Sequence, residues 1–194
     1  MKFNKFLLVS VFGLLSFSQA QAATFDFSGN IANQNQVISI DFSLATTATN
    51  VSVWTDSFMS GVNFDPIIAV WRQAGSDAGP DWALLGQNDD DSSIAAGQTY
   101  WDSGLTFASL AAGNYRFTIA VFPNLVNGNL LSQGFSLDNQ APIALNTGSF
   151  YRVNLSGVDT ARNISAVPEP EIYAMMLAGL GLMGFAARRR KQNV

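Results

Sequence analysis

Hydrophobic and polar residues alternate in short runs through most of the chain. In 37–44, Ile38, Ile40, Phe42 and Leu44 fall on one face, and Ser39, Asp41 and Ser43 on the other. A period of two is the mark of a half-buried strand. The same pattern predicts strands over Thr24–Phe27, Asn50–Ser57 (with Val51, Val53 and Thr55 inward), Tyr115–Phe122 and Phe150–Leu155. Trp82–Leu85 reads as a further, shorter strand. Pro66–Trp71 differs, because Ile67, Ile68, Ala69, Val70 and Trp71 are all apolar. Such a run predicts an interior strand covered on both faces.

Ser28-Gly29-Asn30, Ala74-Gly75-Ser76-Asp77, Ala112-Gly113-Asn114 and Val126-Asn127-Gly128-Asn129 supply turn signals between these runs. No stretch of the body keeps a helical apolar period over three turns, and no internal repeat stands out. Several short strands with regular turns predict an all-β sandwich or barrel. Residues 124–148 mix Asn, Gly, Leu and Ser, and read as loop with at most one or two short strands.

The two ends follow other rules. Lys2 and Lys5 precede the apolar stretch Phe6–Phe17, and Ala20-Gln21-Ala22 fits the small-residue site of a signal peptidase. Residues 1–22 therefore read as a signal peptide and its helix, cleaved between Ala22 and Ala23. At the other end, Val167-Pro168-Glu169-Pro170-Glu171 is a rigid polar entry. Ile172–Ala187 follows without a charge for 16 residues, then Arg188-Arg189-Arg190-Lys191. An uncharged run of that length spans roughly 24 Å as a helix, which basic neighbours can extend by snorkelling. It predicts a single transmembrane helix over 172–187, with the basic tail in the cytoplasm and the body outside. Gly179-Leu180-Gly181-Leu182-Met183-Gly184 spells a dinucleotide-loop motif, but it lacks the strand before it and the acid after it that such a loop needs.

Charge changes the picture of the body. Overall there are 14 acids and 10 bases, but the bases gather at the two ends. Residues 23–167 hold 12 Asp, no Glu, 4 Arg and no Lys, so the body carries 4 − 12 = −8. Nucleic acid is not a partner for such a surface, since binding it rests on Lys and Arg. The chain also has no His and no Cys. Ser-His-Asp triads, Cys nucleophiles, haem and the usual zinc sites are thereby excluded. Enzymatic chemistry would fall to Asp alone. A two-Asp glycosidase needs carboxyls about 5 to 9.5 Å apart across a cleft, and no such pair can be assigned.

In its order of parts, the C-terminal segment resembles the PEP-CTERM sorting signal of Gram-negative bacteria: Val-Pro-Glu-Pro, one hydrophobic span, and an Arg-rich end. The resemblance covers about 167–191. It implies processing by an exosortase near Pro168, Glu169 and Pro170, transient anchoring in the inner membrane, and delivery to the cell surface or beyond, usually in bacteria that make extracellular polysaccharide. The chain then divides into a signal peptide (1–22), a β-sandwich domain (23–166) and a sorting signal (167–194).

Asn88-Asp89-Asp90-Asp91-Ser92-Ser93 is the sharpest local feature of the body. Adjacent carboxylates repel one another, and a hard cation such as Ca²⁺ relieves that repulsion. If 66–73 and 82–86 pair as a hairpin, Asp65 joins Asp89, Asp90 and Asp91 at one end of it. Asp65, Asn88, Asp89, Asp90 and Asp91 are thus candidate calcium ligands. A solvated acidic turn is the competing reading. The EF-hand template fails: counting from Asp89, its sixth position is Ile94 rather than Gly, and its twelfth is Tyr100 rather than Glu.

Three segments together resemble the bacterial pre-peptidase C-terminal domain. These are Asn63-Phe64-Asp65-Pro66-Ile67-Ile68-Ala69-Val70-Trp71, then Ala83-Leu84-Leu85-Gly86-Gln87-Asn88-Asp89-Asp90, then Leu110-Ala111-Ala112-Gly113-Asn114-Tyr115-Arg116-Phe117. The resemblance covers roughly 25–123 and implies a non-catalytic, jelly-roll-like antiparallel β-sandwich, some members of which bind calcium.

The expectation is a non-catalytic exported protein of the surface or extracellular matrix, associated with exopolysaccharide or biofilm. The alternative is a carbohydrate-binding module, for which exposed aromatic side chains are needed. Trp54, Trp71, Trp82, Tyr100 and Trp101 are available for glycan stacking, with core packing as the competing reading. Tyr100 and Trp101 lie beside turn signals and are the pair most expected on the surface.

Overall fold

In the computed structural model the described residues are 24–74 and 81–163. The expected signal peptide and its cleavage between Ala22 and Ala23, the Pro168-Glu169-Pro170 motif and the expected span 172–187 lie outside them. Among the described residues, no helix is long and apolar enough to cross a membrane.

The strands are β1 (Thr24–Asn30), β2 (Ile38–Leu44), β3 (Ala48–Thr55), β4 (Pro66–Ala74), β5 (Asp81–Asn88), β6 (Gly104–Leu110), β7 (Gly113–Val121), β8 (Phe150–Ser156) and β9 (Thr160–Asn163). Their pairing is nested. β4 pairs with β5, β3 with β6, β2 with β7 and β1 with β8, all antiparallel. The chain is therefore one long double-stranded ribbon. Further pairing of β3 with β8 and of β4 with β7 rolls it into two sheets, ordered β1-β8-β3-β6 and β5-β4-β7-β2-β9. This is the strand order of a jelly roll. Among the described residues every strand pairs antiparallel and the only helical elements are short 3-10 turns, so this part of the chain is all-β.

The alternation seen in the sequence sets the core. Ile38, Ile40, Phe42 and Leu44 of β2 meet Val51 and Val53 of β3 and Tyr151, Val153 and Leu155 of β8 between the sheets. Ile68 and Val70 of β4 and Phe117 and Ile119 of β7 complete this layer. Burying side chains of this size contributes about 1.5–3 kcal/mol each. The apolar run of β4 is covered on both faces, as expected. Its other face, with Ala69 and Trp71, packs against Trp82, Phe135, Val126 and Leu131 in a second, smaller core.

That second core explains residues 122–149. They form no strand, and their one helical turn is the 3-10 turn Leu131–Gln133. They act as a cap over half of the outer face of the five-stranded sheet. Polar side chains supplement scattered backbone bonds such as Ser136 N to Leu125 O: Gln133 Oε1 accepts from the Asn129 and Leu130 amides, Asn124 Oδ1 from Leu137, and Gln87 Oε1 from Val126. Buried backbone amides need partners, and here side chains supply them.

Two strands escape the hydrophobic pattern. β6 is the edge of its sheet, and Thr106, Ala108 and Ser109 are exposed, so only part of its alternation shows. β9, Thr-Ala-Arg-Asn, holds one small apolar residue and is placed by its ladder with β2.

Candidate metal centre

Antiparallel pairing of β4 with β5 puts Ile68 opposite Asn88. Asp65, just before β4, and Asp89 and Asp90, just after β5, consequently leave the sheet at the same end. Carboxylate oxygens of Asp65, Asp89 and Asp90 all lie within 4.8 Å of one another. The ion pairs among the described residues are elsewhere, Arg116 with Asp41 and Arg152 with Asp56. Nothing cationic from the described residues offsets the cluster.

The electrostatic consequence is large. Burial, reinforced by the charges of Asp89, Asp90 and Asp102, pushes the Asp65 carboxyl up to about 7. Burial and then the charge of Asp90 raise Asp89 as well. Asp65 Oδ1 and Asp89 Oδ1 are both buried and accept no hydrogen bond. Buried polar atoms in native proteins rarely stay unpaired, and such exceptions point to an ion, a water or a proton. The donor set is all carboxylate oxygen, the chemistry that Ca²⁺ prefers. Below about 7, a proton on Asp65 relieves the same repulsion.

Of the five residues expected from sequence, three converge. Asp91 turns away: its Oδ1 accepts from Ser93 N at 2.9 Å and Ser93 Oγ at 2.6 Å, which closes a local turn. Asn88 is spent on the start of β6, where its Oδ1 accepts from Gly104 N at 3.2 Å and Ser103 Oγ at 3.3 Å. Asp91 and Asn88 therefore shape the loop that carries Asp89 and Asp90. Among the described residues, the acids brought together at this end are therefore Asp65, Asp89 and Asp90.

A residue that sequence reasoning did not single out ties this end together. Asp102 is fully buried. Its Oδ1 accepts from Thr55 Oγ1 at 3.0 Å, Ser57 N at 2.9 Å and Phe58 N at 3.1 Å. Its Oδ2 accepts from Thr99 N at 2.6 Å and Thr99 Oγ1 at 3.0 Å. The Asp102 carbonyl also takes Asp91 N at 2.8 Å, so the hub and the acidic loop are one unit. In sequence it is an isolated acid after two aromatics, with nothing to distinguish it from a surface turn.

The link from β3 to β4 is strained beside this hub. Met59, Ser60 and Gly61 have φ of 52°, 55° and 97° in succession. Left-handed backbone costs a non-glycine residue roughly 1–2 kcal/mol. Ser60 N, bonded to Thr99 Oγ1 at 3.2 Å, and Asn63 Nδ2, bonded to Ser57 O at 2.7 Å, hold it there. The turn carries the chain from β3 back to Asp65.

Tyr100 and Trp101 are exposed, at 57% and 45%, as the turn signals suggested. They do not make a flat platform. Their rings meet at 72°, and both lean on buried Phe58, Tyr100 at 80° and Trp101 at 41°. Trp71 and Trp82 belong to the core.

Comparison with known proteins bears on the C-terminal end more than on the body. Residues 166–191 match the family model described as PEP-CTERM protein-sorting motif. No curated protein matches the chain. Among solved structures, the Yersinia pseudotuberculosis-derived mitogen is similar at 12% identity, over 76% of this chain and 96% of that one, with a TM-score of 0.43. The chain carries a PEP-CTERM sorting motif at 166–191, which implies export, membrane-associated sorting toward the cell surface and processing by an exosortase.

Proposed function

We propose that this chain is a non-catalytic protein of the cell surface or extracellular matrix, whose jelly-roll body is tightened after export by one calcium ion at Asp65, Asp89 and Asp90. The sorting motif at 166–191 carries the reading. A signal peptide cleaved between Ala22 and Ala23 would bring the chain across the inner membrane. A span at 172–187 would hold it there until the exosortase acts near Pro168-Glu169-Pro170.

Three points support a structural role for the body. The chain lacks His and Cys. Asp65 and Asp89 present buried oxygens without hydrogen-bond donors, which suit a small ion. The two antiparallel sheets are also those of a β-sandwich, the coarse architecture that the resemblance to the pre-peptidase C-terminal domain implies. In an exopolysaccharide or biofilm matrix, millimolar calcium outside the cell matches the weak affinity of extracellular calcium modules, about 10⁻⁴–10⁻³ M.

The sorting claim is tested by intact mass of the protein recovered from cells with and without the exosortase. The expected result is loss of the C-terminal segment, with a new end near Pro168–Pro170, in the presence of the enzyme alone. An unshortened C-terminus in both strains contradicts it.

A further inference from the structure

The 122–149 cap covers only half of the outer face of the five-stranded sheet. On the other half lies a groove of about 500 Å³, within the size range of small-molecule sites. We propose that this groove binds a saccharide bearing a carboxylate. The inference rests on the exported reading above only for where such a ligand is met.

Two rows of side chains cross the groove. In one, Arg116 of β7, Asp41 of β2 and Arg162 of β9 stand in register. Arg116 takes both oxygens of Asp41, at 2.7 and 3.3 Å, and its guanidinium lies 4.4 Å from the Trp82 ring centroid. Arg116 is thus pinned on two sides, by Asp41 and by Trp82, which lowers the ordering cost of binding. Asp41, the single acid lining the groove, is thereby neutralised. Arg162 stands opposite Asp41 in the ladder, yet its side chain makes no ion pair or hydrogen bond among the described residues. It is exposed. Two guanidiniums against one carboxylate leave this patch positive on a body of −8.

The second row is neutral and polar. Asn114 Nδ2 donates to Gln73 Oε1 at 2.8 Å, and the hydroxyls of Ser43 and Thr160 are 2.7 Å apart. Asn114 Oδ1 and Gln73 Nε2 remain unspent among the described residues, and Trp82, opposite Gln73, closes one end of the groove. Neighbouring strands are about 4.8 Å apart, so donors and acceptors are spread across the face rather than converging on one point. A compact anion wants converging donors. A sugar ring carries hydroxyls around its rim, and each can donate and accept. The unpaired Arg162 fork adds a seat for a carboxylate.

The test is calorimetric titration of the full-length protein, in mild detergent, with a galacturonic acid trimer, the corresponding neutral galactose trimer and inorganic phosphate. The acidic trimer should bind saturably, and the neutral trimer at least about tenfold more weakly. Arg162→Gln should lose a similar factor and Asn114→Ala a few-fold. The pair Tyr100→Ala and Trp101→Ala, and replacement of calcium by chelator, should leave the affinity unchanged. The last comparison separates this site from the calcium cluster, and the exosortase experiment is independent of both. No saturable binding of the acidic trimer overturns the proposal. Equal binding of phosphate, or an Arg162→Gln protein with wild-type affinity, overturns it as well.

Discussion

Asp102 and Asp65 sit at the same end of the sandwich, and they are opposites. Asp102 is the more deeply buried, yet each of its oxygens is surrounded by donors. Asp65 is only half-buried, yet one of its oxygens accepts nothing, and two carboxylates face it. It is Asp65 whose carboxyl is pushed up to about 7. Donors, more than depth, decide whether the oxygens of a buried acid are satisfied. The first carboxylate is a finished structural hub. The second is a charge awaiting a cation or a proton.

Removing the hub should have the largest effect. Asp102→Ala leaves the Ser57, Phe58 and Thr99 amides without their acceptor. Each such loss costs about 1–3 kcal/mol, so urea unfolding should show a destabilisation of about 3–5 kcal/mol, unrelieved by calcium. Asp65→Asn should act in the other direction. By removing one of the mutually repelling charges, it should stabilise the metal-free protein by about 1–2 kcal/mol, a figure reduced for solvent screening of half-exposed carboxylates. It should also abolish any response to calcium.

Acidity sharpens the same contrast. The Asp65 carboxyl is raised in the folded state, so between about 4 and 7 the folded protein holds a proton that the unfolded chain has released. Metal-free stability should therefore fall as pH rises from 5 to 8, and recover on acidification. Thermal midpoints in chelator across that range check the sign, and Asp65→Asn should flatten the trend. The smallest effect belongs to Asp91→Ala. It loses the turn bonds to Ser93, worth about 0.5–1.5 kcal/mol, and should keep the full calcium response.

Much of the sandwich is legible in the sequence because burial is periodic. The alternation of 37–44 and the two-sided burial of Ile67–Trp71 follow directly from which faces are covered. β9 is not legible, since its ladder to β2 comes from backbone pairing rather than side-chain burial. Residues 124–148 read as loop with at most one or two short strands and form none, but their task of covering Trp71 depends on long-range packing that no local pattern encodes. The cluster is half legible. Hairpin topology brings Asp65 to Asp89 and Asp90, as expected. Composition cannot show that Asp91 and Asn88 are spent on Ser93 and Gly104, because Asp and Asn serve turns and ligands equally well. Asp102 is silent in sequence, because its donors come from two separate loops.

The most direct measurement is thermal unfolding of the full-length protein at pH 7.5, in 10 mM calcium and in chelator, for wild type and Asp65→Asn. An ion that binds only the folded state at 10 to 100 times its dissociation constant adds about 1–3 kcal/mol, or roughly 3–10 °C for a domain of this size. The account predicts such a rise for wild type and none for Asp65→Asn. Equal midpoints for wild type with and without calcium, or an undiminished rise in Asp65→Asn, would contradict it.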